Sequence, residues 1–429
     1  PGGQSHDAPS DPEHTYWAWD EGLQNWLEFG VACLWKFDED YFARTGRTPE
    51  FNKQRTVDIW RHIANRYKDE PALIGYELIN EPFLPYGIHY PDLRALLVQI
   101  TAAVREVDTN HIIFVEGNYY AGTFEGLVPP WDSQTVLCFH KYWTTNTYSA
   151  IANFVETAAT WNMPVCMTES GENSNPWINQ FVRLLEGNNV GWCMWGYKKV
   201  SSISAAFSAP ITADYQYVID NFRDLPVNTT RFKNGLMQMA QKVRTSQCLF
   251  DPGWYGALFD PQFTTTPVPF VITTLPGMIY AVNYDVGNQG VSYSDTRYMN
   301  TENWDGPAYN NGWLYRNDGV DIQTTSDAAG FKVSWIDSGE WLKFTVNIPS
   351  AGKYDITIRT ASPNNTGRLQ LYLDANPLTS VVSIPRTGQW DNFRATTMKG
   401  VNLPAGTHVL QARFPVGGFD FASLQFVKK

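Results

Sequence analysis

The feature that most constrains this chain is a change in the spacing of its apolar residues past the middle of the sequence. Before residue 248, strand-sized apolar runs alternate with helical patterns. The stretch RTVDIWRHIANRYKDEP puts Val57, Trp60, Ile63, Ala64 and Tyr67 on one helical face and leads into the apolar run ALIGYELINEP. The helical pattern DLRALLVQITAAVREVD then leads to HIIFVEGN, to TVLCFHKYW, to a helix around 148–161 and to MPVCMTESGE. A helix around 176–187, the run VGWCMWGYKK and a last helix near 230–245 follow. Short apolar strands separated by helices mark a parallel sheet, because parallel neighbours need a crossover between them. Five strand–helix units are predicted, each strand ending in polar or aromatic residues, which is where a (β/α)8 barrel carries its active site. An open doubly wound sheet shares the alternation, but its Gly-rich phosphate loop is missing.

Residues 249–276 are rich in Pro, Thr and Gly without periodicity, as a linker or a packed connector would be. Beyond them, over 277–429, the period drops to two. KVSWIDSGEWLKFTV, GKYDITIRTAS, GRLQLYLD, THVLQARF and FASLQFV are separated by Gly, Asn and Pro turns. That half is expected to be an antiparallel β-sandwich of jelly-roll type. Five cysteines, odd in number and without CxxC or HExxH spacing, indicate neither a disulfide framework nor a zinc site.

Charge and composition narrow the partners. The net charge of -11 argues against an extensive phosphate-neutralising surface, so nucleic acid is not an expected ligand. No apolar run approaches the ~20 residues of a membrane span, so a membrane is not an expected partner either. Charged residues make up only 17% while aromatics reach 15%, which favours flat aromatic platforms over ionic recognition.

The sharpest candidate site is Asn80-Glu81-Pro82, at the C-terminal end of one predicted strand, together with Glu169 in MTESGE at the end of a later one. Two carboxylates at strand ends of one barrel can face each other across a cleft, one protonated and one ionised, as glycosidic bond hydrolysis needs. Glu77, Glu116 and Glu172 also lie on or just beyond strands and are rivals, Glu172 the most serious. His140 and Tyr142 stand two apart in CFHKYW and project to one side, where they could hold a carboxylate and sugar hydroxyls. Trp195 offers an indole face to a pyranose, whereas Trp192, of opposite parity, is expected in the core.

The motifs PGGQSHD, INEP, FHKYW, TESGEN and GWxxWxxKK, in this order over residues 1–248, resemble the retaining glycoside hydrolase family 5 of (β/α)8 enzymes. The resemblance implies Glu81 as general acid/base, Glu169 as nucleophile and Asn80 as donor to the sugar 2-hydroxyl. It further implies His140 and Tyr142 around the nucleophile, Trp195 as a platform, and no required cofactor. In that family a PGGQ-like loop follows the third strand. The chain is therefore expected to lack the first three barrel strands, and its opening reads as the inside of a long loop.

Residues 277–429 resemble a family 6 carbohydrate-binding module through NYDVGNQGVSY, YRNDGVDI, WIDSGEWLKF, AGKYDITIRTAS, TGQW and GGFDFASLQF. The resemblance implies sugar stacking by Trp335 and Trp390, with Asp420 where an Asn is usual, while Trp341 is expected in the core. Tyr280-Ala281-Val282 stands where the family places a Glu pair for a structural calcium, which leaves that calcium open.

Together these readings imply a secreted, monomeric, retaining hydrolase of a β-glucan, β-1,4 or β-1,3 linked. The alternatives are a β-mannanase, a catalytically inactive glycan-binding protein, and a (β/α)8 enzyme using Glu81 as a simple base.

Overall fold

The computed structural model describes residues 49–82, 90–222, 227–303, 306 and 308–429, so the PGGQSHD opening lies outside the described residues. Two compact units divide the chain. One holds the described residues up to Lys141 with Thr147–Ser170 and Arg183–Met194, the other Tyr142–Asn146, Gly171–Val182 and Trp195–Lys429.

The first unit is built on a parallel sheet of five strands in sequential order: β1 (Gly75–Glu77), β2 (Ile112–Glu116), β3 (Thr135–His140), β4 (Val165–Glu169) and β5 (Gly191–Trp192). Its helices are α1 (Pro49–Tyr67), α2 (Tyr90–Arg105) and α3 (Ala152–Thr160), and helix α4 (Asn175–Gly187) spans the division between the units. Of the face predicted for α1, Val57 and Ala64 are buried while Tyr67 is 44% exposed; α2 buries Leu93, Leu96, Leu97, Ile100 and Val104, all at most 3% exposed. Burying each such side chain contributes ~1.5–3 kcal/mol. Phe139 of β3 stacks on Phe154 of α3 at 4.2 Å. Because all five strands run the same way, their C-terminal ends fall on one edge of the sheet. That edge gathers Glu77, Glu116, His140 and Glu169.

One strand departs from expectation. Of VGWCMWGYKK only Gly191 and Trp192 pair with β4, through Cys166 and Met167. The next backbone bond, Cys193 N–H to Met167 O, is the last to β4, and Trp195 instead bridges Gly171. Lys198–Val200 joins a separate three-stranded sheet with Phe207–Ala209 and Leu249–Phe250. Trp192 is half-buried rather than in the core.

The second unit continues with α5 (Ala213–Asn221), capped by Thr212, and α6 (Thr229–Lys242), capped by Asn228. Within residues 249–276 the chain forms a packed helix. Asp251 accepts the N–H groups of Gly253 and Trp254 and starts helix α7 (Pro252–Phe259), which buries Trp254, Ala257 and Leu258. An N-cap Asp followed by Pro is a helix-start signal that the Pro/Gly content obscured.

Beyond α7 two antiparallel sheets face each other. One orders Ile322–Thr324, Phe331–Val333, Asp420–Lys428, Gly352–Ala361 and Arg394–Leu403, with Gly277–Tyr280 added on Asp420–Lys428. The other runs Tyr293–Ser294, Trp341–Ile348, Gly406–Val416, Arg368–Leu373 and Asn376–Pro377. Strict alternation along Trp341–Ile348 buries Leu342, Phe344, Val346 and Ile348. Trp341 takes the outward parity. It is half-buried with Lys343 Nζ 5.1 Å from its ring, so the core position expected for it is corrected. The segment KVSWIDSGEWLKFTV is two strands in different sheets, because Trp335 and Gly339 adopt positive φ (48° and 97°) and turn the chain between them. Arg394–Leu403 falls outside the predicted strands, since half of its residues are exposed and only Leu403 is buried, which leaves its apolar period weak.

Candidate active site

Glu81 lies just beyond β1 and Glu169 ends β4, while His140 ends β3 and Glu116 ends β2. Parallel pairing brings these ends together. The backbone register of β3 and β4 shifts between Phe139 and His140, so that His140 pairs with Glu169. One oxygen each of Glu81 and Glu169 and a ring nitrogen of His140 lie within 4.8 Å of one another. The two carboxylates selected from the sequence therefore meet, and His140 meets both.

His140 is 5% exposed. Its Nδ1 is 2.9 Å from Glu81 Oε1 and its Nε2 is 3.4 Å from Glu116 Oε1. The ring also lies within 4.8 Å of a Glu169 oxygen, beside which the resemblance places it. Burial opposes a charge on this ring. The hydrogen bonds to Glu116 and Glu81, with the fields of Glu116 and Glu169, outweigh burial and raise its pKa to about 10. That shift favours the imidazolium form of His140 at neutral pH.

Glu116 is 1% exposed, and its Oε2 accepts the backbone N–H of Glu81 at 2.6 Å. That bond holds Glu81 at a φ of 44°, a left-handed conformation that costs a non-glycine residue ~1–3 kcal/mol and needs such an anchor. Sequence reading set Glu116 aside as a rival; its geometry makes it the residue that orients Glu81. Glu77, whose side chain is exposed, is pushed up to about 7 by the surrounding protein and by the like charge of Glu116. The Glu116 effect gives that direction whatever the exposure. Asn80 is exposed.

Glu77, Glu116 and His140 also bring one ligand atom each within 4.8 Å.

Tyr142, Glu172 and Trp195 belong to the second unit. Trp143 Nε1 donates to Glu172 O at 3.2 Å, Glu172 pairs with Lys199 at 3.1 Å, and Lys199 Nζ sits 3.7 Å from the Trp195 ring centroid. Trp195 is 45% exposed, which leaves part of its indole open. Gly171 approaches the Trp195 backbone so closely that a Cβ would stand 2.1 Å from Trp195 O.

In the sandwich, Trp335 and Trp390 are each 47% exposed. Asp420 is 2% exposed, and its carboxylate meets Lys332 Nζ at 2.7 Å. Burial raises its pKa against the pull of Lys332. Lys332 also donates to Trp390 O at 3.0 Å, so it ties Asp420 to the loop of Trp390. Nothing in the sequence pattern singled out this lysine. At the expected calcium position, Ala281 and Val282 are buried apolar residues and Tyr280 brings no carboxylate. Arg316 supplies a cation nearby, donating to the carbonyls of Val282, Tyr284 and Asp285 and pairing with Asp318 at 2.7 Å. These residues do not fit a calcium ion at that position.

Comparison with known proteins adds the following. The family "Cellulase (glycosyl hydrolase family 5)" matches residues 15–201, and "Carbohydrate binding module (family 6)" matches residues 314–428. Among curated proteins, an endoglucanase C of Acetivibrio thermocellus is 34% identical over 92 residues, covering 21% of this chain and 26% of that protein. An endoglycoceramidase of Hydra vulgaris is 33% identical over 103 residues, 20% of each chain. The chain thus spans about a quarter or less of the length of these relatives. A solved family 6 module from a Cellvibrio mixtus lichenase, bound to cellotriose, is 34% identical and covers 26% of this chain and 87% of its own, with a TM-score of 0.24.

Proposed function

We propose that this chain, which belongs to glycoside hydrolase family 5 over residues 15–201 and carries a family 6 carbohydrate-binding module over 314–428, is a retaining hydrolase of β-glucan acting outside the cell. The observation that carries the reading is the meeting of Glu81 and Glu169 within 4.8 Å at the edge of a parallel sheet. Retaining enzymes hold their two carboxyls about 5–5.5 Å apart, and inverting ones about 6.5–9.5 Å, to admit a water.

In this mechanism Glu169 attacks the anomeric carbon while Glu81 protonates the departing glycosidic oxygen. Glu81 then takes a proton from the water that releases the sugar from Glu169, so configuration is retained. Glu116 fixes the backbone of Glu81, and His140 lies against both carboxylates. Asn80, Tyr142 and Trp195 are the proposed sugar contacts. Trp335 and Trp390 stack glycan on the sandwich, with Asp420 and Lys332 bracing the Trp390 loop. No cofactor takes part. Similarity to an endoglucanase favours glucan. A putative mannan endo-1,4-β-mannosidase of rice, 27% identical over 188 residues, keeps mannan as the second substrate to test.

The test is reducing-sugar release from cellulose, mixed-linkage glucan, laminarin and mannan by the chain and by its Glu169→Gln variant, with the anomer first formed read by proton NMR. Release by the parent alone, with the β-anomer appearing first, is expected. Glucan retention without release by either protein would make the chain a binding protein, and an α-anomer first would exclude double displacement.

A further inference from the structure

The loop after β4 ends in a run of asparagines that the proposed chemistry does not use. Asn173, Asn175 and Asn179 are each at most 2% exposed, and every one has its side-chain nitrogen bonded to a residue far along the chain. Asn173 Nδ2 donates to Asn300 O at 2.6 Å while its Oδ1 accepts the Asn300 N–H at 3.0 Å. Asn175 N–H donates to Asn317 O at 2.8 Å, and Asn175 Nδ2 to Asp318 Oδ1 at 2.7 Å. Asn317 Nδ2 returns bonds to Asn173 O at 2.7 Å and Asn175 Oδ1 at 3.2 Å. Asn179 Nδ2 reaches Ala257 O of α7 at 2.8 Å. The closeness is built in: a Cβ on Gly253 would stand 2.7 Å from Asn175 Nδ2.

Buried amides bonded in this way are costly to separate, because each group left without a partner loses its hydrogen bond and stays out of water. A module on a flexible tether only raises the local concentration of substrate. Here Asn300, Asn317 and Asp318 are bonded to the segment that begins four residues after Glu169. The same body holds other loops. Trp177 Nε1 donates to Thr144 O at 2.7 Å, Asn146 Nδ2 to Trp177 O at 3.1 Å, and Gly171 bridges Trp195.

We propose that the sandwich is a fixed partner of the segment that follows β4. Through Asn300, Asn317 and Asp318 it orders the loop after β4, and with it the loops of Tyr142 and Trp195, which makes Asn173, Asn175 and Asn317 positioning residues for sugar binding. The docking stands on the contacts alone, whereas its consequence for sugar binding rests on the hydrolase reading.

Hydrogen exchange of the full chain tests the docking without turnover. Asn173→Ala and Asn317→Ala cut the same contact from opposite sides, and each is expected to speed exchange at amides 174–178 at least tenfold. Amides in Gly352–Ala361 report whether the sandwich stays folded. Should either variant unfold, Asn317→Asp replaces it, since it keeps the acceptor for Tyr309 and loses the donors to Asn173 and Asn175. Less than a twofold change at 174–178 in the folded variants overturns the docking.

For positioning, the KM for cellotetraose is expected to rise about tenfold in Asn317→Ala, with kcat less affected and retention on insoluble glucan within twofold of the parent. Unchanged KM would overturn it. If the parent releases no sugar, the hydrolase reading fails separately. Calorimetric binding of cellotetraose in a Trp390→Ala background then decides positioning, by whether Asn317→Ala weakens it tenfold or leaves it unchanged.

Discussion

Glu116→Gln tests the electrostatics of the proposed site most directly. The carboxylate of Glu116 lies 3.4 Å from His140 Nε2, and both side chains are almost wholly buried. At that separation, with an effective dielectric of ~20, one unit charge on another is worth about 5 kcal/mol, equivalent to roughly 3 to 4 pKa units. Burial subtracts from His140, while Glu81 at 2.9 Å and Glu169 add to it, and the sum takes the ring from 6.5 to about 10. Replacing Glu116 by Gln keeps an oxygen for the Glu81 N–H and removes one of the charges. The imidazole should then titrate at least ~2 units lower, at roughly 8 or below. The assay is a pH titration of the His140 ring by carbon–proton NMR in the parent and the variant, with a His140→Gln spectrum for assignment. A parent ring that titrates near 6.5, or a variant within half a unit of the parent, would refute the reasoning. The linkage sign is fixed by the same shift. Stability from the His140 cation is fully present below 6.5, and it is lost as pH rises through about 10.

Three further outcomes are expected. Asp251 is pushed up to about 7 by burial and then by Asp318, so the folded state binds a proton that the unfolded chain releases near 3.8, and stability falls as pH rises from about 4 to about 7; Asp251→Asn, which keeps the helix cap, should flatten that fall in melts taken at each pH. Trp390→Ala should weaken retention on insoluble glucan roughly fivefold, the loss of about 1 kcal/mol of aromatic contact, without changing release from a soluble oligosaccharide; equal retention in affinity electrophoresis would remove Trp390 from the binding face. Gly171→Ala puts a methyl 2.1 Å from Trp195 O at a φ of 147° and should cost at least ~2 kcal/mol, visible as a lower unfolding midpoint in urea; an unchanged midpoint would show that the Gly171–Trp195 bridge contributes nothing.

Much of the architecture could be read in the sequence because period and pattern are local properties. The apolar stripe of α2, the short buried strands of the first half and the alternation of Trp341–Ile348 each follow from residues a few positions apart. Local reading also chose Glu81 and Glu169, since a carboxylate at the C-terminal end of a parallel strand has a definite place on the sheet. It failed where a distant partner decides. The run VGWCMWGYKK is uniformly strand-like, yet it leaves the sheet after Trp192 because Trp195 bridges Gly171. The Pro/Gly-rich 249–276 hides α7, whose burial of Trp254, Ala257 and Leu258 depends on a surface that the linear chain does not display.

The sequence by itself determined the two fold classes, the polarity of the sheet and the pair of carboxylates that its strand ends carry. Only the tertiary structure decided what those carboxylates touch. The pKa of His140 is raised because strands β2 and β3 and the turn after β1 bring Glu116 and Glu81 to opposite ring nitrogens. The bonds of Asn173 and Asn175 exist because residues 300 and 317–318 return to them from more than a hundred positions away. Electrostatic and hydrogen-bond energies fall off over a few ångströms of space, and spacing along the chain carries almost no information about such distances.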